Sequence, residues 1–247
     1  MTSLIKTLTS TARAVTRSCG VDIVRYQPLN TTLLGQRNQI MRLAGINLVF
    51  DVGANIGQFG HELRLYGYQG EVMSFEPQAA AFHQLSEAAA ADPNWHVYHY
   101  AFGEVPGTST IHLSQNSHSS SLLPMLNAHL DSAPESAYIG EEEIEVRTLN
   151  DFWQENDGKY TGRNIMLKID VQGFEKYVLA GASTFLPYVS LIQLEMSLIE
   201  LYDNEMLYQD MMAYLNSLGF GTLLTLIPGH SHPKTGRLLQ CDGVFGR

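Results

Sequence analysis

At 247 residues and 45% apolar side chains, the chain has the size of one large α/β domain and enough apolar surface for a sizeable core, which excludes global disorder. Its 25 Asp and Glu against 15 Lys and Arg leave a net charge of −10, so it has no bulk attraction for nucleic acid. Cys19 and Cys241 lie at opposite ends without metal-type spacing, which predicts reduced thiols in a cytoplasmic protein rather than a disulfide framework or a zinc site. No apolar run approaches the roughly 18 residues of a membrane-spanning helix.

The first 21 residues carry Lys6, Arg13 and Arg17 and no acid. Leu4, Ile5, Leu8, Ala12 and Val15 fall on one face at helical spacing. We read residues 1–45 as an N-terminal helical extension packed over the edge of a core at 46–247. The alternative is a surface helix that makes a peripheral contact with the inner membrane face through residues 1–20. Residues 33–43 have a helical rhythm that Gly45 ends. A strand over 47–52, a helix over 58–66, a strand over 71–76 and an alanine-rich helix over 79–91 follow. Residues 95–100 alternate in the manner of a strand.

Beyond this point the rhythm changes. Short strands are expected at 107–113 and 144–149, flanking a long irregular insertion over 114–143 with a serine patch and the acidic run Glu141, Glu142 and Glu143. Such a stretch inside a compact domain is usually functional or mobile. The βα rhythm then resumes, with a strand at 164–170, a helix at 174–180, a strand at 189–195, a helix at 205–218, and final strands at 220–227 and 239–245. The order predicts a mostly parallel sheet of the Rossmann-like kind with helices on both faces.

Four acids close predicted core strands: Asp51, Glu76, Asp170 and Glu195. In an open parallel sheet, ligands bind outside the carboxyl ends of the strands. Some of these acids have the alternative role of capping the helix that follows. Asp51-Val-Gly-Ala-Asn-Ile-Gly57 reads as a strand delivered through a glycine turn into a helix, where a missing Cβ lets a ligand approach the backbone. Glu76 ends the adjacent strand, one βαβ unit on, and suits a ribose diol. The loop is G-x-x-x-G rather than the G-x-G-x-x-G of a pyrophosphate site. An acidic rim also fits the cationic sulfonium and ammonium of S-adenosylmethionine better than a dinucleotide.

Asp51-Val-Gly-Ala-Asn-Ile-Gly57, Ser74-Phe-Glu-Pro77, Leu167-Lys-Ile-Asp-Val-Gln-Gly-Phe-Glu175 and Cys241-Asp-Gly-Val-Phe245 together resemble the signature blocks of FkbM-type methyltransferases, over roughly residues 49–245. The resemblance implies a class I methyltransferase fold, a seven-stranded sheet whose last strand is antiparallel, and S-adenosylmethionine as donor with S-adenosylhomocysteine as product. It implies O-methylation of a sugar or another hydroxylated natural product, such as a glycolipid. By the same resemblance Gly53, Ala54, Asn55 and Gly57 contact the amino-acid part of the cofactor, with Asp51 and Pro77 beside them. Glu76 holds the ribose, and Ala101 and Phe102 lie near the adenine. Gln172 departs from the family pattern, which usually has Glu there.

An alcohol is a poor nucleophile while protonated, so a base beside it is expected. Asp170 is the first candidate for that base, and it is also counted among the cofactor contacts. Lys168, two residues earlier, is expected to orient a carboxylate or a substrate oxygen, with a plain ion pair as its alternative. Glu195 and His118 complete the catalytic candidates, and His230 and His232 are further bases to consider. No resident metal is expected. A Mg²⁺ held by Asp170, Glu195 and a histidine is the lesser alternative. Residues 114–143 and 228–238 are expected to face the acceptor, with Tyr138, Trp153 or Tyr202 as sugar-stacking aromatics. A dinucleotide-dependent oxidoreductase and a noncatalytic binding module are the competing functions. The sequence leaves the oligomeric state open.

Overall fold

The computed structural model describes Arg13 and residues 16–21, 31–156 and 158–247. The apolar face of the N-terminal segment lies outside the described residues. Helix α1 (Leu33–Leu43) is capped by Thr32, whose hydroxyl accepts the Gly35 N–H. It is followed by β1 (Leu48–Val52), α2 (Gln58–Leu65), β2 (Glu71–Phe75), α3 (Ala79–Ala89) and β3 (Trp95–Tyr98). Later in the chain come β7 (Ile165–Ile169), α6 (Glu175–Ala180), β8 (Val189–Ser197), α7 (Tyr208–Ser217), β9 (Thr222–Pro228) and β10 (Gln240–Gly246). These strands form a seven-stranded sheet in the order β3-β2-β1-β7-β8-β10-β9. β10 runs antiparallel to both its neighbours, and the other pairings are parallel. The expected α/β architecture and antiparallel last strand are present.

Side-chain alternation gives the sheet two buried faces. Leu48, Phe50, Val52, Leu167, Ile169, Ile192 and Leu194 pack into the larger core, where Phe50 and Phe75 meet Phe152 and Phe185. Val49, Val72, Met166 and Leu191 face the other way, against Met41 of α1 and Leu63 of α2. Toward the C-terminal strand ends this second face turns polar. Ser74, Asp51, Lys168 and Gln193 are register partners across β2, β1, β7 and β8, so they form one polar row across the middle of the sheet.

The insertion is more ordered than the sequence suggests. β4 (Ala101–Phe102), β5 (Gly107–Ser114) and β6 (Tyr138–Arg147) make a second, three-stranded sheet in the order β4-β6-β5. β6 starts six residues before the expected strand at 144, so Glu141, Glu142 and Glu143 belong to a strand rather than a loop. They sit opposite His112, Ile111 and Thr110, with their side chains at the rim. Between the strands lies a short helix, α4 (Asn127–Ser132). Leu149, expected to end a strand, instead begins helix α5 (Leu149–Glu155), because the Thr148 hydroxyl accepts the Asp151 N–H and caps it. No described helix is long and apolar enough to cross a membrane.

Candidate active site

The turn after β1 is shaped by what lies behind it. Gly53 has φ of +77°, and a Cβ there would collide with the carbonyl oxygen of Asp170 on the loop after β7. The close approach joins the two loops that flank the central strands. Gly57, at φ +93°, starts α2, and a Cβ there would press on Leu85 and Trp95. It packs there and is not among the residues that line the cleft described below.

Asp51 lies deeper still. It is fully buried beneath the turn, accepting a bond from Ser74 Oγ at 3.0 Å and pairing with Lys168 Nζ at 3.0 Å, and it is absent from the cleft wall. Ser74 Oγ in turn accepts the indole N–H of Trp95 at 3.0 Å. Lys168 also donates to the Gly53 carbonyl at 3.1 Å and lies 3.6 Å from Asp170 Oδ2. Burial works against its charge, but Asp51 and Asp170 outweigh that and raise its proton affinity above that of a free lysine. Lys168 is thus held in an ion pair with Asp51 and hydrogen-bonded to the Gly53 carbonyl.

Above this row opens a cleft of about 420 Å³, within the usual size of small-molecule sites. One end is apolar, with Ala101, Phe102, Ile111, Leu122 and Pro77 on its walls. Glu76 stands next, only 2% exposed. Its Oε2 accepts the Asn55 N–H at 2.8 Å and its Oε1 the Gln78 N–H at 2.9 Å. Burial raises its pKa to about 7 against the pull of those two N–H groups. Each oxygen keeps a further lone pair for a ligand hydroxyl. Gly53, Ala54, Asn55, Lys168 and Asp170 continue the wall, and Ser117 Oγ reaches the Asn55 side chain at 3.4 Å from the serine loop above. This arrangement of an apolar slot, a buried carboxylate and a backbone-lined turn has the form of a site for an adenosine with an extended tail.

The far wall holds residues that the sequence reading did not select. Gln172, at φ +54°, donates from its amide to Asp170 Oδ1 at 3.0 Å and to Glu195 Oε2 at 2.9 Å, and accepts the Tyr202 hydroxyl at 2.7 Å. An amide between two acids satisfies both without a third negative charge. Asp242 on β10 is the register partner of Glu195, and burial with repulsion from Asp170 raises its pKa to about 6. Burial pushes the Glu195 carboxyl well above the ordinary carboxylate range, and Asp170, Asp242 and Glu175 add repulsion. Gln193 and Arg37 also line this end. Among the described residues no group of three or more His, Cys, Asp or Glu is placed to hold a metal ion.

A second cavity of about 310 Å³ adjoins the first and shares His118, Gln172 and Glu195 with it. Its other walls are Asn116, Ser119, Ser136, His129, His230, Glu135, Gln240 and Ala133. His129 and His230 stack with ring centres 5.9 Å apart, and His230 Nε2 lies 2.9 Å from Ser132 Oγ. Burial lowers the His129 pKa to about 4, which leaves a neutral ring at physiological pH. His118 stands at the junction with Nδ1 3.4 Å from Gln58 Nε2. His232 lines neither cavity. The three aromatic candidates are engaged elsewhere: Tyr138 stacks on His112, Trp153 packs on Phe185, and Tyr202 is fully buried under Gln172.

A family model described as the methyltransferase FkbM domain matches residues 51–221, well over half of the chain. Comparison with curated protein sequences gives no match. Among solved structures, a Thermobifida fusca YX protein described as a methyltransferase is similar at 9% identity, covering 89% of this chain and 80% of that one with a TM-score of 0.50, which speaks for the fold alone. The N-terminal domain of human METTL16, solved with S-adenosylhomocysteine, shares 10% identity over 91% of this chain and 72% of that one at a TM-score of 0.47. The family removes the dinucleotide-dependent oxidoreductase from consideration. The chain belongs to the FkbM methyltransferase family and is an S-adenosylmethionine-dependent methyltransferase.

Proposed function

We propose that this methyltransferase acts on a hydroxyl of a sugar or similarly hydroxylated acceptor, a glycolipid headgroup included, and that the second cavity receives it. The observation that carries this reading is the wall of that cavity: hydroxyls, amides and imidazoles from Ser119, Ser136, Asn116, Gln240, His129 and His230, opening onto the donor cleft at Gln172 and Glu195. Such a lining offers both donors and acceptors to a polyol and no flat apolar slot for an aromatic ring.

S-adenosylmethionine supplies an electrophilic methyl group, so the protein's contribution is mainly positioning and the removal of one proton. Ala101, Phe102 and Pro77 bound the adenine end, Glu76 accepts from the ribose diol, and Gly53, Ala54 and Asn55 offer backbone to the tail. Asp170 lines only the donor cleft, whereas Glu195 lines both cavities. Glu195 is therefore the better placed general base, its carboxyl made more basic by burial. Asp170, the first candidate from sequence, stands against Lys168 and orients Gln172. Gln172 fixes the Glu195 carboxylate through its amide, leaving Glu195 Oε1 for the acceptor proton. His118 at the junction is the second candidate base. The mechanism uses no metal. Both cysteines are free, in keeping with a cytoplasmic site of action, and any contact with the inner membrane face falls to residues 1–20.

Incubation with methyl-labelled donor and a panel of free sugars, glycolipids and catechols tests the assignment. Labelled methyl ether is expected on a hydroxylated aliphatic acceptor, in the presence of EDTA as in its absence. Transfer confined to catechols or to nitrogen acceptors would contradict it.

A further inference from the structure

One end of the donor cleft carries a charge that the roles above leave unused. Arg37 of α1 is 1% exposed and lines the cleft together with Phe59 and Glu62 of α2. One Nη bonds the Glu62 carboxylate, the guanidinium carbon lies 4.8 Å from the Phe59 ring centre, and Nε is buried without a hydrogen-bond partner. Lys168 Nζ stands over the same ring at 5.4 Å. A chain of contacts thus leads from Glu76 to Asn55, along the turn to Gly53, and on through Lys168 and Phe59 to Arg37. If Glu76 marks the ribose, Arg37 marks the far end of the amino-acid tail.

The charges at that end are unbalanced. Asp170, Glu195, Asp242 and Glu62 line it, and Lys168 and Arg37 are the cations among the lining residues. This acidity suits the sulfonium and the ammonium of the donor but repels its carboxylate. Lys168 is committed to Asp51, Asp170 and the Gly53 carbonyl. Arg37 has one bonded carboxylate and further N–H groups on a planar fork, a shape that matches a second carboxylate. A buried guanidinium so sparsely paired is costly unless an anion joins it.

We propose that Arg37, held by Glu62 and Phe59, binds the carboxylate of the methyl donor's amino-acid group. The proposal rests on the placement of the ribose at Glu76. Its role is positioning: a tail anchored at its far end fixes where the sulfonium lies relative to Glu195.

Calorimetry on the intact protein with three ligands tests it: S-adenosylhomocysteine, its decarboxylated analogue S-adenosyl-3-thiopropylamine, and 5′-methylthioadenosine. The wild type should bind S-adenosylhomocysteine about tenfold to a hundredfold more tightly than the decarboxylated analogue. Arg37→Met should close that gap by weakening S-adenosylhomocysteine alone, and Arg37→Lys should restore part of it. Equal binding of the first two ligands by the wild type overturns the proposal without any variant. So does an Arg37→Met protein that weakens all three ligands alike, the mark of a merely structural residue. The ribose placement is judged separately, by whether Glu76→Gln weakens 5′-methylthioadenosine.

Discussion

Under the proposed function, Glu76 is a side chain prepared for the ribose before the ribose arrives. Two backbone N–H groups fix its plane, and burial keeps it ready to trade a proton for ligand hydroxyls. Glu76→Gln keeps one acceptor oxygen but turns an amide toward the other N–H. We expect it to weaken S-adenosylhomocysteine binding by about 1.5–3 kcal/mol, the scale of charge-assisted hydrogen bonds, as read by calorimetry. Unchanged affinity would remove Glu76 from the ribose role. This residue was legible in the sequence because an acid ends an apolar strand just before a proline. Asp242 was not, since it lies inside a strand and acquires its neighbours only from the register of β10 with β8. Arg37 reads in the sequence as an ordinary solvent-facing helix residue, and only the packing of α1 against the second face of the sheet buries it.

At the scale of elements, the polar row across β2, β1, β7 and β8 ties the glycine turn to the sheet. Lys168→Met leaves Asp51 buried opposite an apolar side chain, which should cost about 3–5 kcal/mol of stability in denaturant unfolding. The double variant Asp51→Asn with Lys168→Met removes both charges and should recover much of that loss. A double variant no more stable than the single would show that the pair is not what Lys168 supplies. The strands that carry this row were legible because each is a short apolar run followed by a turn signal. The row itself was hidden, because single polar residues within such runs show their common face only when the strands are aligned. β6 was misplaced for a related reason. Its acids lie at the exposed rim of a small sheet, where alternation carries no apolar signal, although Glu142 also accepts the Ala79 N–H at the start of α3. The capping signal for α5, Thr148 with Asp151, was present in the sequence and goes with a helix rather than a strand.

Across the whole molecule, acids gather where the strands end, and burial raises the proton affinity of Glu76, Glu175, Glu195 and Asp242. Glu175 shows the consequence for stability. It accepts the Val171 N–H at 3.0 Å, and burial raises its pKa from 4.5 to about 8. The folded state thus holds a proton that the unfolded chain releases. The stability this contributes is complete below about pH 4.5 and is lost as the pH rises through about 8. Relative to Glu175→Gln, which keeps the acceptor oxygen but cannot ionise, the wild type should lose melting temperature steadily between pH 5 and 8. A constant difference across that range would contradict a raised Glu175.

The same clustering places one carboxylate, Glu195, on the walls of both the first cleft and the second cavity, and the proposed function depends on that position. Single-turnover methyl transfer by Glu195→Gln, measured beside S-adenosylhomocysteine affinity, tests it most directly. A rate about 10²–10⁴-fold below the wild type is expected, as for loss of a general base, with S-adenosylhomocysteine affinity changed far less than the rate. A variant that transfers methyl at the parent's rate would contradict it.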